Sequence, residues 1–139
     1  MIKKYVLSIC ILLIFLISFS ACGNNTAENS TDVDISSSAV ILGEGKTNFD
    51  FIVADADGSQ THFNISTNKK MVGDALKEHN LIEGEEGQFG IYVKTVNSVT
   101  YDYDKDGKYW AFYVDGEYAV KGVDKTEIKK GSVYMFKAE

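Results

Sequence analysis

The acidic stretch from residue 102 to residue 107 has the residue types and spacing of the first half of a calcium-binding loop. Asp102, Asp104 and Asp106 alternate with other residues and Gly107 follows, the pattern D-x-D-x-D-G whose oxygen atoms ligate Ca²⁺. A complete loop needs a glutamate at its twelfth position, which is Tyr113 when counted from Asp102. We therefore interpret the stretch as a solvated acidic turn, with calcium binding as the alternative.

A second chemistry, the stacking of a flat ligand, is indicated by the aromatic stretch from Lys108 to Val123. Its first residues alternate with the period of a β-strand, and both sides carry large apolar or aromatic groups. One interpretation is a central strand that is covered on both faces. The other is that the face with Trp110, the only tryptophan of the chain, is partly open and stacks against a ligand.

Residues suited to catalysis are few. His62 and His79 are the only histidines. His62 is predicted on a strand, and His79 is predicted at a helix C-terminus, where its positive form would interact favourably with the helix dipole. No serine or cysteine lies in a recognisable nucleophile motif, and no glycine-rich loop has the spacing that cradles phosphates. We therefore expect that the protein is not an enzyme.

The first 21 residues have the features of a secretory signal. Lys3 and Lys4 precede an apolar run from Tyr5 to Phe19 that is short for a membrane-spanning helix, and small residues follow it. Residues 19–22, Phe-Ser-Ala-Cys, resemble the lipobox of bacterial lipoproteins, in which the cysteine receives a diacylglyceryl group and becomes the new N-terminus. The alternative is an ordinary secretion signal in which Cys22 is incidental.

We accordingly expect that residues 1–21 are removed and that Cys22 anchors the chain on the extracytoplasmic face of a cell membrane. Cys10 would leave with the signal, so the mature chain would have one thiol and could form neither an internal disulfide nor a thiolate zinc site. Lysine-rich, arginine-free usage together with the lipobox points to a Gram-positive envelope.

The net charge excludes one class of partner. The full chain carries −6, and removal of Lys3 and Lys4 leaves −8. All 14 basic residues are lysine. Nucleic-acid phosphates are held chiefly by clustered arginine and lysine, so no nucleic-acid partner is expected. Membrane attachment would then depend on the lipid rather than on a basic patch.

Residues 22–45 are mostly small, polar and acidic, and such a segment buries too little apolar surface to offset the entropy of ordering it. We predict a flexible tether. Residues 39–42, Ala-Val-Ile-Leu, are the exception, and they either add an edge strand or pad the domain. The folded domain is predicted over residues 46–139.

Period-two alternation predicts the strands of that domain. Residues 48–54 and 61–65 form one antiparallel pair, and residues 90–96 and 132–137 form later strands. Asp115-Gly116 predicts a type I′ turn that returns the aromatic strand through residue 120, because both residues tolerate positive φ.

Residues 66–68, Ser-Thr-Asn, offer an N-cap for a helix from Lys70 to His79, which should end before a loop at residues 84–87. One short helix cannot cover two sheet faces. We therefore predict the α+β class and a β-grasp fold, with a single mixed sheet and one helix packed across it.

Four motifs lie in an order and spacing that are typical of one family: Val72-Gly-Asp-Ala-Leu76, Val96-Asn-Ser-Val99, Tyr109 to Glu117, and Gly122-Val-Asp124. Together they are similar to the transcobalamin-like C-terminal domain family, a β-grasp domain of the DUF4430 type. That family is related to the small domain of the vitamin B12 carriers, which covers one face of the corrin ring while a separate helical domain holds the other. No such helical domain is predicted in this sequence, so the resemblance implies a ligand that is only half enclosed.

The resemblance also implies a ligand site on the hairpin and its neighbours. Its residues would be Trp110, Phe112, Tyr113, Tyr92, Asn97, Gly122 and Val123. The first function expected is the binding of a corrinoid such as cobalamin, or of another flat small molecule, with either histidine as an alternative cobalt ligand. The second is a cell-surface interaction or adhesion module that docks a partner protein and has no small-molecule ligand.

Overall fold

The structure is a computed structural model that describes residues 38–139. The predicted signal peptide, Cys22 and the first part of the predicted tether lie outside the described residues. The strands of the described part are β1 (Val40–Leu42), β2 (Thr47–Ala54), β3 (Gln60–Thr67), β4 (Ile82–Gly87), β5 (Gly90–Val96), β6 (Val99–Thr100), β7 (Trp110–Val114), β8 (Glu117–Tyr118) and β9 (Val133–Ala138). The helices are α1 (Val72–Glu78), α2 (Tyr103–Asp106) and a 3₁₀ helix (Val123–Lys125). None of these helices is long and apolar enough to cross a bilayer.

Six strands form a mixed sheet in the order β1-β3-β2-β9-β7-β8. Its two central strands, β2 and β9, run parallel, with Phe51 opposite Tyr134. Strands β3 and β7 flank them and run antiparallel to them. The antiparallel β2–β3 hairpin, the helix across one face and the final strand β9 laid parallel to β2 are the features of a β-grasp fold. The predicted α+β class is therefore confirmed.

The hydrophobic core lies on the face of this sheet that α1 covers. The strand residues that enter it are Phe49, Phe51, Val53, Phe63 and Ile65. From α1, Val72, Ala75 and Leu76 are fully buried in the same cluster. A Cβ atom on Gly73 would lie 3.0 Å from the Cα atom of Asp124, so the glycine lets α1 approach the 3₁₀ helix closely. This packing explains a helix that contains a residue of low helix propensity.

A second sheet of three strands, β4-β5-β6, makes the prediction of a single sheet wrong. Residues 84–87, predicted as a loop, belong to β4 and pair with β5 as far as Gly87 opposite Gly90. Their sequence, Gly-Glu-Glu-Gly, consists of residue types depleted in strands, so the pattern hid the pairing. The strand forms because the β-prone β5 supplies backbone partners, and Lys94 Nζ contacts Glu85 Oε1 at 2.9 Å across the pair.

The helix α1 is shorter than predicted and begins two residues later. Its N-cap is Met71, whose side chain makes no capping hydrogen bond. The Ser66-Thr67 part of the predicted cap belongs to β3, and Thr67 Oγ1 accepts the N–H of Lys69 at 3.1 Å. Burial, rather than a side-chain cap, therefore holds the start of this helix.

The predicted reversal at Asp115-Gly116 is confirmed. The two residues have φ angles of 51° and 85°, both positive as a type I′ turn requires. Tyr113 lies opposite Tyr118 in the resulting pair. The return strand β8 has only two residues, and the chain leaves the sheet before the predicted residue 120.

Residues 40–42, inside the predicted tether, form the edge strand β1 parallel to β3. Of the two alternatives left open by the sequence, the edge strand is the one present. The ordered sheet therefore begins at Val40, before the predicted domain start at residue 46. Ile41 is 79% exposed on this edge.

Candidate ligand-binding groove

A groove of about 340 Å³ lies beside β7, between β5 and the segment from Tyr118 to Val123. Its walls are mostly aromatic and aliphatic, and Lys121 is the only lysine among them in the described part of the chain. Five of the seven predicted ligand residues line it: Tyr92, Trp110, Phe112, Gly122 and Val123. We call this feature the groove.

Trp110 is a wall of the groove rather than an open platform. The side chain is 5% exposed, so the expectation of a partly open tryptophan face is wrong. Its indole Nε1–H donates to the carbonyl oxygen of Val99 at 3.1 Å, and the ring of Tyr101 lies 5.2 Å from its ring centroid. The second sheet and the segment that follows it therefore cover the tryptophan. The more ordinary interpretation of this strand, burial on both faces, fits Trp110 and Ala111.

Phe112 forms the adjacent part of the wall and is fixed by aromatic packing. Its ring lies 6.4 Å from that of Tyr134 in a stacked arrangement and 5.0 Å from that of Phe136. The side chain is 9% exposed. A ligand in the groove would therefore contact a wall that is already rigid, and binding would cost little side-chain entropy.

Exposed aromatic and aliphatic side chains surround the mouth of the groove. Tyr92 is 42% exposed, Tyr118 59% and Val120 97%. Phe89, at 86%, is next to them, since its carbonyl oxygen lies 3.4 Å from where a Cβ atom on Gly122 would be. Apolar groups this exposed commonly mark interaction sites. We call Phe89, Tyr92, Tyr118 and Val120 the rim.

Sequence reasoning missed three rim residues. Phe89 had a usable signal, because it lies between Gly87 and Gly90, where a large aromatic residue has no core to enter. Tyr118 and Val120 had none. The sequence predicted that they continue the return strand, and their exposure follows from the early end of β8.

Asp124 positions the back of the groove. Its Oδ1 atom accepts the N–H of Ile91 at 3.1 Å, which ties the start of β5 to the 3₁₀ helix. The same atom lies 2.8 Å from where a Cβ atom on Gly122 would be, so the lining glycine leaves room for the carboxylate. The Asp124 Oδ2 atom contacts Lys125 Nζ at 3.2 Å.

These contacts also set the ionisation of Asp124. Burial opposes the charged form, but the N–H of Ile91 and the ammonium group of Lys125 outweigh it. The pKa of Asp124 therefore lies below its ordinary value. The carboxylate is charged at neutral pH and acts as a structural hydrogen-bond acceptor.

Two predicted ligand residues, Asn97 and Tyr113, do not line the groove. Asn97 lies in the turn between β5 and β6 with a φ of 48°, and its N–H donates to the carbonyl oxygen of Leu81 at 2.8 Å. The Tyr113 hydroxyl donates to Glu139 Oε1 at 2.7 Å. This hydrogen bond to a carboxylate, together with burial, raises the pKa of Tyr113. Tyr113 follows the alternation of β7 away from the face of Phe112, whereas Asn97 lies in a turn, outside any strand alternation.

The three aspartates of the calcium alternative form a capped helical turn. Asp102 Oδ1 accepts the N–H of Asp104 at 3.1 Å, and Asp106 Oδ2 accepts the N–H of Asp102 at 2.8 Å. Gly107 ends α2 in the left-handed conformation. Among residues 38–139, no group of three or more acidic, histidine or cysteine side chains is arranged to hold a metal ion.

The two histidines lie away from the groove lining. His62 is buried on β3, opposite Ile52 of β2. His79 ends α1, and its Nε2 atom lies 2.7 Å from where a Cβ atom on Gly43 would be. Neither is placed to ligate the metal of a molecule in the groove.

A larger depression of about 590 Å³ adjoins the groove and shares its wall from Tyr118 to Lys121. Charged side chains of both signs line it, including Asp115, Glu117, Lys125 and Lys129. A flat apolar ligand would have to desolvate them, which is unfavourable. The smaller groove is therefore the better candidate for such a ligand.

Two solved structures resemble this fold. One is a protein from Ruminococcus gnavus ATCC 29149 described as a candidate metal-binding protein; it is 26% identical, with a TM-score of 0.64, over 68% of this chain and 97% of that one. The other is haptocorrin in complex with Cbi, 16% identical with a TM-score of 0.51, over 76% of this chain and 28% of haptocorrin. This chain therefore corresponds to little more than a quarter of haptocorrin, and the likeness shows a shared fold. No curated protein matches the chain.

The resemblance stated from the sequence motifs is confirmed by these findings. The likeness to haptocorrin shows the expected fold. The family model described as "Domain of unknown function (DUF4430)" matches residues 70–139, half of the chain. The matched range contains all seven predicted ligand residues and every rim residue. The chain therefore belongs to the DUF4430 family.

Proposed function

We propose that this protein is an extracytoplasmic, lipid-anchored module that binds a corrinoid or another flat small molecule in the groove. The observation that carries the proposal is the combination of a rigid aromatic wall, formed by Trp110 and Phe112, with the exposed and mostly aromatic rim. Tyr92 and Tyr118 both line the groove and offer aromatic area to a planar ligand. The ring of Tyr118 is held by an edge-on contact with that of Tyr113, with 5.4 Å between the ring centroids.

The size of the groove supports a partial enclosure. Its volume of about 340 Å³ is at the low end of small-molecule pockets, which run from about 300 to 1,000 Å³. A corrin ring with its side arms is larger than that. One edge or one face would enter the groove, and the rest would lie across the rim.

The fold relatives support the same class of function. Haptocorrin, which shares the fold, was solved in complex with Cbi, and the relative from Ruminococcus gnavus is described as a candidate metal-binding protein. For this chain we favour a corrinoid over a bare metal ion, because the groove is lined by aromatic and aliphatic groups rather than by carboxylates.

The proposed location follows from the sequence. The charged start, the apolar run and the Phe-Ser-Ala-Cys motif would remove residues 1–21 and attach Cys22 to lipid. Replacing Cys22 with alanine should move the protein from the membrane fraction to the medium or periplasm. Retention of the variant in membranes at the wild-type level would contradict the anchor.

We propose binding without catalysis. Besides its tyrosines, the groove offers one ionisable side chain within the described residues, Lys121, and it offers no paired acid and base. The ligand would therefore be held and released unchanged.

The test is a titration of the full chain with cyanocobalamin and with dicyanocobinamide, followed by the fluorescence of Trp110. As the only tryptophan and a wall of the groove, it should be quenched when an absorbing corrin ring binds. The double variant Tyr92→Ala/Tyr118→Ala should bind at least about tenfold more weakly, since each aromatic contact contributes about 0.5–1.5 kcal/mol beyond its area.

The matched control is Tyr103→Ala, because Tyr103 is similarly exposed at 61% but lies on α2, outside the groove lining. Its affinity should equal that of the unmodified chain. Absence of quenching at millimolar ligand, or equal weakening by the control, would remove the corrinoid proposal.

A cell-surface interaction or adhesion module is the second candidate. The specific observation in its favour is Ile41, which is 79% exposed on the outer edge of β1. No strand of residues 38–139 pairs with that edge, so another strand could add to the sheet there. An Ile41→Lys variant that loses a partner protein, while the Tyr92→Ala/Tyr118→Ala variant keeps it, would favour this function.

A further inference from the structure

The charge of the domain is separated along the direction of β2. Five lysines lie in three neighbouring loops near Thr47, the first residue of β2, which pairs with Thr67. We call Lys46, Lys69, Lys70, Lys129 and Lys130 the lysine pole. Five aspartates lie beyond Ala54, the last residue of β2. We call Asp55, Asp57, Asp102, Asp104 and Asp106 the aspartate pole.

Hydrogen bonds hold the three loops of the lysine pole together. The N–H of Lys46 donates to Asn68 Oδ1 at 3.2 Å, and the N–H of Ile128 donates to the carbonyl oxygen of Lys70 at 2.8 Å. Lys46, Lys69 and Lys70 border one depression of about 390 Å³. All five side chains of the pole are exposed. Their positive charges therefore face solvent from one end of the domain.

The aspartate pole is also held as a unit. The Tyr101 hydroxyl donates to Asp55 Oδ1 and so joins the β2–β3 turn to the segment that leads into α2. Lys105 pairs with Asp102 at 3.5 Å, and the ammonium group of Lys108 lies over the Tyr101 ring. Five carboxylates against these two lysines leave this end negative.

Acidic residues near the lysine pole reduce its charge but do not cancel it. Glu44 and Glu127 lie in the same loops, and Glu78 pairs with Lys69 at 3.7 Å. Within the three loops and the Lys69–Glu78 pair, five lysines against three glutamates leave a charge of +2, whereas residues 38–139 as a whole, with 12 lysines and 17 acidic residues, carry −5. In the adjoining depression that Lys129 borders, Asp115 and Glu117 are balanced by Lys121 and Lys125. The other four lysines of the pole form no ion pair with any residue from 38 to 139.

We propose that the lysine pole docks on the anionic headgroups of a lipid bilayer and turns the aspartate pole away from it. The inference rests on the anchor proposed above, which would bring the domain to the surface. The two acyl chains of a diacylglyceryl group would hold the chain on the bilayer, and a basic patch attracted to anionic headgroups would then set which end of the domain faces the surface. In this proposal the lipid supplies the attachment, as the sequence predicts, and the lysine pole supplies the orientation.

The length of the chain permits this orientation. The 17 residues from Cys22 to Ser38 can span up to roughly 60 Å when extended. The eight residues of β2 span roughly 26 Å. Either pole can therefore reach the bilayer, and the charge difference between the poles selects the lysine pole.

The test uses the full chain reconstituted into two kinds of vesicle, phosphatidylcholine alone and phosphatidylcholine mixed with phosphatidylglycerol. Hydrogen exchange of residues 68–71 and 126–132 should slow several-fold with phosphatidylglycerol and recover at high salt, which screens surface charge. Residues 102–107 should exchange equally in both. Equal exchange of the lysine-pole segments in both vesicles would overturn the proposal.

A charge-matched pair of variants tests the lysines themselves. The first changes all five to glutamine: Lys46, Lys69, Lys70, Lys129 and Lys130. The control changes five others to glutamine: Lys77, Lys94, Lys105, Lys108 and Lys137. The first should lose at least about tenfold in the phosphatidylglycerol-dependent part of vesicle binding, and the control less than about twofold. Equal losses would show a general charge effect and contradict a specific pole.

Two further outcomes are decisive. If soluble polyphosphate slows exchange at residues 126–132 while phosphatidylglycerol does not, the pole binds an anionic polymer and the membrane proposal is wrong. If the Cys22→Ala variant stays in membranes, the anchor is wrong. Exchange that still depends on phosphatidylglycerol in that variant would support the lysine pole independently. The corrinoid titration in solution is unaffected by any of these results.

Discussion

The indole N–H of Trp110 donates to the carbonyl oxygen of Val99 at 3.1 Å and joins the strand β7 of the main sheet to β6 of the second sheet. Tyr101 covers the same ring and reaches Asp55 at the far end of the β2–β3 hairpin. Trp110 therefore connects the two sheets. Only the part of it that enters the wall of the groove is available to a ligand.

Replacing Trp110 with phenylalanine should lower the free energy of unfolding by about 1–3 kcal/mol, because the Val99 carbonyl loses its donor and the smaller ring leaves a void. Urea denaturation followed by circular dichroism measures the change. As a control, Tyr109→Phe removes an exposed 3.4 Å contact with Glu139 and should change stability by less than about 0.5 kcal/mol. Equal effects of the two substitutions would contradict the claim that Trp110 connects the two sheets.

Asp124→Asn should make the stability of the domain less sensitive to acid. The folded-state pKa of Asp124 lies below its ordinary value, so the ionised carboxylate stabilises the fold above the unfolded pKa. That contribution is lost as the pH falls through the folded pKa. The unmodified chain should therefore lose more stability than the variant between about pH 5 and pH 2.

Urea titrations at a series of pH values measure this difference. The control is Asp74→Asn, which changes an exposed carboxylate on α1. Parallel pH profiles for the Asp124 variant and the unmodified chain would show that the contacts to Ile91 and Lys125 do not stabilise the charged form.

Gly73→Ala should destabilise the domain although alanine is the better helix former. The gain in helix propensity is about 1 kcal/mol. The new Cβ atom would lie 3.0 Å from Asp124 Cα and 3.1 Å from its nitrogen, and backbone atoms of a packed 3₁₀ helix cannot move aside cheaply. A net loss of about 1 kcal/mol is expected in thermal or urea unfolding. A rise in melting temperature would show that the 3₁₀ helix yields.

Gly116→Ala should cost about 1 kcal/mol for a purely conformational reason, since only glycine adopts positive φ freely. A Cβ atom there would meet nothing within 4 Å, so sterics with neighbours play no part, but the φ of 85° is unfavourable for alanine. Gly116→Asn should cost less, because asparagine tolerates this region. Comparison of the two variants by urea unfolding checks the turn, and equal costs would contradict the type I′ assignment.

Local periodicity was sufficient to predict much of the fold. Alternation placed Phe49, Phe51 and Val53 on one face of β2, and all three are buried together. The Asp115-Gly116 pair was sufficient for the hairpin, because its requirement for positive φ is a property of two residues. The family motifs added the order of the remaining elements.

Tertiary partners decided what the pattern could not. After the buried Ile82, the residues of β4 are exposed and poor in β-prone types, so their pairing became visible only with β5 beside them. Alternation showed which side Trp110 faces, but it could not show that Val99 and Tyr101 cover it. The same alternation could have excluded Tyr113 from the groove, since it follows Phe112 directly and points to the opposite face.

The parallel pairing of β2 with β9 has a consequence for the order of events during synthesis. Phe51 finds its partner, Tyr134, only after the ribosome has added more than eighty further residues. The nascent chain can close the β2–β3 hairpin early, but the centre of the sheet stays vacant until β9 emerges. For a chain that is exported as proposed above, the sheet could then close only after residues 133–138 have crossed the membrane.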